Sequence, residues 1–121
     1  MFSISDNNVI VITRGDSASF ALYLNKGTLL EPTRYVLKEN DAVYMGIMEP
    51  GQRFEDAIIK YKFTRENLNQ DNDVKVQIKP TDTEYLEPGK YFYQIKLVYI
   101  DDDGDEQVST VISKTEFYIQ E

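Results

Sequence analysis

The sequence predicts an all-β protein, a two-layer antiparallel β-sandwich of about seven or eight strands. Three observations carry this. Residues that favour strands are plentiful, with nine Tyr and six Phe beside many Val and Ile. No stretch keeps apolar residues at i, i+3, i+4 and i+7 over three helical turns. Instead, short alternating runs recur about every 10–15 residues with turn residues between them, the pattern of a sandwich or barrel.

Each element follows from its own pattern. Residues 8–13, NVIVIT, read as a strand whose four successive apolar residues suggest burial on both faces. Arg14-Gly15-Asp16 follows as a tight turn, with Gly15 free to take positive φ. Residues 17–24, SASFALYL, put Ala18, Phe20, Leu22 and Leu24 on one face and Ser17, Ser19, Ala21 and Tyr23 on the other, so a hairpin with Arg14-Gly15-Asp16 at its tip is expected. Between residues 25 and 41, Pro32 breaks any regular ladder, and residues 34–37, RYVL, read as a short strand or one helical turn. Residues 42–48, AVYMGIM, form the next strand, with Val43, Met45 and Ile47 inward. A Pro-Gly loop leads to residues 58–64, where Ile59, Tyr61 and Phe63 alternate with Lys60 and Lys62. Residues 74–79, VKVQIK, alternate most cleanly, with Val74, Val76 and Ile78 inward. After the compact crossover PTDTEYLEPG comes the long strand 90–100, with Tyr91, Tyr93, Ile95, Leu97 and Tyr99 on one face. The turn DDDGD leads to strands 106–112 and 115–120, the last with Phe117 and Ile119 inward.

At 121 residues, the chain reads as one domain, residues 1–121, with a modest core. It has no cysteine and no histidine. Disulfides, Cys/His zinc sites and His-dependent nucleophilic catalysis are therefore excluded. The net charge is −8, with 13 basic residues scattered along the sequence against 21 acidic ones. Phosphate backbones and anionic membranes attract clustered Lys and Arg, so no nucleic-acid or membrane partner is expected. The N-terminus lacks a basic segment followed by an apolar run, so a soluble protein without its own export signal is expected. No apolar run approaches the ~20 residues that span a bilayer.

Five constellations bear on function. In LEPGKYFY, a Tyr entering a long strand after a Pro-Gly corner suits the hydroxyl-to-backbone bond of sandwich corners, a structural role. Asp101, Asp102, Asp103, Asp105 and Glu106 surround Gly104. Their spacing misses the EF-hand pattern, and Asp-Gly between alternating strands signals a hairpin tip, so no metal or other cofactor is expected. A weak calcium site shared with another acidic loop stays open. Arg14-Gly15-Asp16 matches the integrin tripeptide, but a turn between strands accounts for it. Paired carboxylates run glycoside chemistry in deep clefts, which a chain this short has little material to build, so no catalytic residues are expected. Aromatics on the faces opposite the core (Tyr23, Tyr44, Phe92 and Tyr118) are candidate anchors for a protein partner or platforms for a sugar, or else supports of the sheet.

The core pattern Val76, Ile78, Pro80, Asp82, Thr83, Leu86, Gly89, Tyr91, Tyr93, Ile95 and Leu97, followed by an acidic Gly turn and a terminal F-x-I, resembles a small protein of tailed-phage and prophage structural modules. The opening ITRGDSASFALYL and the mid-chain VYMGI belong to the same pattern. The chain is similar to the immunoglobulin-like N-terminal domain of siphophage upper baseplate proteins over about 110 of its residues. The resemblance implies an immunoglobulin-like sandwich and a virion component without catalysis, made in the host cytoplasm. It implies virion structural proteins as partners, in a homo-oligomer or a mixed assembly. The expected contact residues are Tyr23, Tyr44, Phe92 and Tyr118, with the tips carrying Arg14, Asp16, Asp101 and Asp103. A carbohydrate-binding or adhesin module is the alternative. Asp82 and Thr83 carry a separate expectation: side-chain bonds to nearby amides fix the crossover.

Overall fold

The computed structural model describes residues 1–27 and 30–121. Ten strands run through them: β1 (Phe2–Ile4), β2 (Ile10–Thr13), β3 (Ala18–Leu22), β4 (Asn25–Gly27), β5 (Pro32–Arg34), β6 (Ala42–Met48), β7 (Ile59–Phe63), β8 (Val74–Ile78), β9 (Gly89–Ile100) and β10 (Glu106–Gln120). Helical structure among the described residues is limited to the 3₁₀ turns Phe54–Asp56 and Arg65–Asn67 and one α-helical turn, α1 (Pro80–Thr83). The all-β class is what the patterning predicts. Seven strands have four or more residues, and three are short edge pieces of three residues.

Six strands form one sheet in the order β1-β2-β10-β9-β6-β7, β3 pairs with β8, and β4 pairs with β5. Inward residues of the large sheet (Ile10, Ile12, Val43, Met45, Ile47, Tyr93, Ile95, Leu97, Phe117, Ile119) join Ala18, Leu22, Val74, Val76 and Ile78 of β3 and β8 in one buried cluster. The period-two pattern creates this core. In β8, buried Val74, Val76 and Ile78 alternate with exposed Lys75 and Gln77. Each buried aliphatic side chain contributes about 1.5–3 kcal/mol by leaving water.

The long strand enters as expected. The Tyr91 hydroxyl donates to the Glu87 carbonyl at 2.7 Å, four residues upstream, which secures the corner before β9. The expectation for Asp82 and Thr83 also holds. Asp82 Oδ2 accepts from the Lys79 amide at 2.9 Å, and Thr83 Oγ1, buried, accepts from the Gly15 amide at 3.0 Å. These two bonds fix the crossover and tie it to the turn at Gly15, whose φ is +81°.

Several local expectations are corrected. The pairing is not wholly antiparallel, because β2 runs parallel to β10, with Ile10 opposite Phe117 and Gln120 opposite Thr13. Consequently β2 and β3 do not form a hairpin. Arg14-Gly15-Asp16 carries the chain from the large sheet to the β3-β8 layer. The 8–13 run is buried on one face only: Ile10 and Ile12 are fully buried, whereas Val9 and Val11 are half-covered. Pro32 does not break a ladder but starts β5 opposite Gly27, an edge position that needs no amide donor. In RYVL, Arg34 ends β5 and Tyr35 and Leu37 are buried in the core. The two strands expected at 106–112 and 115–120 are one strand, β10. Register shifts between Thr110 and Ile112 and between Ile112 and Thr115 absorb the mismatch with β9. β1, absent from the pattern reading, pairs with β2.

Candidate functional site

The outer face of the six-stranded sheet gathers three of the four candidate aromatics, Tyr44, Phe92 and Tyr118. In β6, the alternation that points Val43, Met45 and Ile47 inward points Tyr44 and Gly46 the other way. Register then sets their neighbours. Tyr44 lies between Lys62 of β7 and Lys96 of β9, and Gly46 lies between Lys60 and Gln94. Phe92 is flanked by Met48 on one side and Glu116 on the other, and Tyr118 sits beside Lys90.

The Tyr44, Phe54 and Phe92 rings on this face lie under cations. Lys62 stands 5.9 Å from the Tyr44 ring centre and Lys96 4.7 Å from that of Phe54. Lys90 and Lys114 approach the Phe92 ring at 5.4 and 5.2 Å. Such contacts contribute about 0.5–1 kcal/mol each at exposed sites. Phe54 arrives from the loop after β6, which folds back over Gly46. A Cβ on Gly46 would stand 3.0 Å from both Ala57 Cβ and Phe54 Cε2. The absence of a side chain at Gly46 is what lets this loop seat.

The acids on this face are engaged. Glu116 accepts from the Tyr118 hydroxyl and pairs with Lys90 at 3.3 Å. These two partners, the hydroxyl first, hold its carboxyl below the usual range, and the same bond pushes the Tyr118 phenol up. Glu55 and Asp56 lie 3.6 and 3.5 Å from Arg53.

The structure brings Tyr44, Phe92 and Tyr118 onto this one face and leaves the other candidates apart. The first three are half-buried rather than solvated, because lysine stems and cross-strand neighbours cover their rings. Tyr23 is 50 % exposed near the end of β3, with the Arg34 guanidinium 5.1 Å from its ring centre. The Arg14-Gly15-Asp16 turn is held at every residue. Arg14 bonds Glu121 at 2.6 Å, Gly15 bonds Thr83, and Asp16 bonds the N-terminal amine. Asp101 organises the β9–β10 tip, accepting from the amides of Asp103 at 3.0 Å and Asp105 at 2.9 Å and from Gln107 Nε2 at 3.0 Å. The Asp105 amide leads these in holding the Asp101 carboxyl below its usual range. The carboxylate thus serves the turn. No group of three or more Asp or Glu stands close enough to hold a metal among the described residues.

Sequence reasoning missed three features here. Phe54 sits in a loop where alternation says nothing. The lysines read as scattered, yet Lys60, Lys62, Lys90, Lys96 and Lys114 meet on one face. The signal was present in part, since Lys60 and Lys62 alternate with inward residues. Asp41, 3 % exposed, also went unnoticed. It accepts from the Lys38 amide at 2.9 Å, the Ile100 amide at 3.4 Å and the Tyr35 hydroxyl, and pins the 35–41 loop to the end of β9.

Compared with known protein families, curated proteins and solved structures, the chain matches none of them. Among the described residues, no helix is long and apolar enough to cross a membrane.

Proposed function

We propose that this chain is a non-enzymatic structural module of a tailed-phage or prophage particle, an immunoglobulin-like sandwich that docks neighbouring subunits. The observation that carries the docking reading is the outer face of the six-stranded sheet, where half-buried aromatics and exposed lysines make a broad surface. Aromatic anchors with flanking polar groups are what protein interfaces use. The Tyr91 corner bond supports the immunoglobulin-like assignment. The virion setting rests on the resemblance of the core pattern to baseplate domains. The carbohydrate reading has less support, since rings covered by lysines offer no bare stacking surface.

Immunogold labelling of particles released by the strain that encodes the chain tests the reading. Label at a fixed place on the particle is the expected result. Purified particles that lack the chain by both labelling and mass spectrometry would remove it.

A further inference from the structure

Charge is segregated on this molecule. The whole chain carries −8, yet the outer face of the large sheet presents Lys60, Lys62, Lys90, Lys96 and Lys114. Lys90 has Glu116 as a countercharge. Lys62 and Lys96 meet only rings, Lys114 meets a ring and the Gln52 carbonyl, and Lys60 has no partner among the described residues. At the end of the same sheet, residues 102–110 are all exposed. There the side chains of Asp102, Asp103, Asp105 and Glu106 have no partner among the described residues, because Asp101 alone makes the turn's side-chain bonds. Four cations and four carboxylates thus lack countercharges.

One copy cannot bring them together. The tip caps the two strands whose outer face carries Lys90, Lys96 and Lys114, and a paired hairpin does not fold back on its own face. From Lys96 to Asp101 the strand runs roughly 16 Å at about 3.3 Å per residue. That is about twice the ~8 Å screening length at physiological salt. The attraction within one chain is therefore largely screened, and contact requires another molecule.

We propose that the lysine-and-aromatic face of the large sheet receives the acidic β9–β10 tip of a second copy, head to tail. The inference rests on the docking reading of that face and names the partner. The contact joins two different patches, so it is heterologous and builds rings or open filaments. A tip covers less than the ~1,200 Å² of a standard interface, so the association is weak and salt-dependent. Nucleic acid fits the face less well. The Tyr44, Phe54 and Phe92 rings already lie under lysines, so they offer bases no bare stacking surface.

Sedimentation velocity of the full chain over a concentration series tests this. Association is expected at about 50 mM salt and its loss at about 500 mM, where screening falls to a few ångströms. A face-reversed variant (Lys60→Glu, Lys62→Glu, Lys96→Glu) and a tip-reversed variant (Asp102→Lys, Asp103→Lys, Asp105→Lys) should each remain monomeric alone. Mixed one to one, they should associate again, because the acidic face of one takes the basic tip of the other. Circular dichroism establishes that both fold, and Lys→Gln replaces any Lys→Glu change that does not. A wild-type chain that is monomeric at low salt overturns the proposal. So does association that survives either reversal, or a mixture that stays monomeric. Binding of a single-stranded oligonucleotide to the face, lost in the face-reversed variant, would replace the protein occupant with nucleic acid. A monomeric chain that still labels particles would sink this inference alone and leave the docking of unlike subunits standing.

Discussion

Gly46→Ala is the most informative single change. Gly46 lies mid-strand in β6, and its missing side chain leaves room for the returning loop. The added Cβ would stand 3.0 Å from Ala57 Cβ, 3.0 Å from Phe54 Cε2 and 3.2 Å from Phe54 Cδ2, all closer than ordinary carbon contact. Ala57 is buried, and its N–H donates a hydrogen bond to the Phe54 carbonyl at 3.2 Å, so it cannot simply swing away. Overpacking of this kind costs about 1–3 kcal/mol. Against this, Ala in a strand is favoured over Gly by roughly 0.5–1 kcal/mol. The net expectation is a loss of about 1 kcal/mol, and at most about 2.5 kcal/mol, read as a lower urea midpoint at unchanged slope. The loop yields where it is weakest, at the half-buried Phe54 ring, so contact with Lys96 is lost as well. Adding Ala57→Gly removes one of the two clashes and should recover part of the loss. If Gly46→Ala matches the wild type, or if Ala57→Gly in that background recovers nothing, the loop does not seat on Gly46 as described.

Three further outcomes are expected. Thr83→Val keeps the shape but leaves the Gly15 amide without its acceptor, so it should cost about 1–3 kcal/mol in urea unfolding and make the 14–16 turn more susceptible to proteolysis. Asp41→Ala removes the acceptor shared by Lys38, Tyr35 and Ile100, and should destabilise by at least about 2 kcal/mol while speeding amide exchange in residues 35–41. Burial pushes the Tyr93 phenol up to about 12, against about 10 in an unfolded chain. The fold therefore keeps a proton that the unfolded chain releases. Stability should be intact below about pH 10 and fall as pH rises towards 12. Tyr35 and Tyr61, also raised by burial first and then by their bonds to Asp41 and Asp82, act in the same direction. Tyr93→Phe should accordingly lessen, without abolishing, the alkaline loss in a pH series of thermal melts; an unchanged slope would refute the assignment.

The alternating strands were legible because alternation is a local property. In β8 and β9, side chains two residues apart must share a face, so the inward residues and the hairpin at Asp101–Asp105 can be read from neighbours in the chain. The same holds for Asp82, whose type and place after Pro80 announce a capped turn, whereas the Thr83 bond to the distant Gly15 amide is a tertiary contact. Pairing partners were less legible. A turn between two strands resembles a hairpin whether the second strand returns to the first or crosses to another layer, and Arg14-Gly15-Asp16 does the latter.

Local chemistry therefore settled the class of the fold, its inward residues and the self-contained turns, because each depends on chain neighbours. The tertiary structure alone decided the parallel contact of β2 with β10, about a hundred residues apart, and the seating of Phe54 over Gly46. It also decided the meeting of lysines from β7, β9 and β10 with aromatics from β6, β9 and β10 on one face. Those outcomes depend on strand order and register, which are set by the packing of two layers around a shared core.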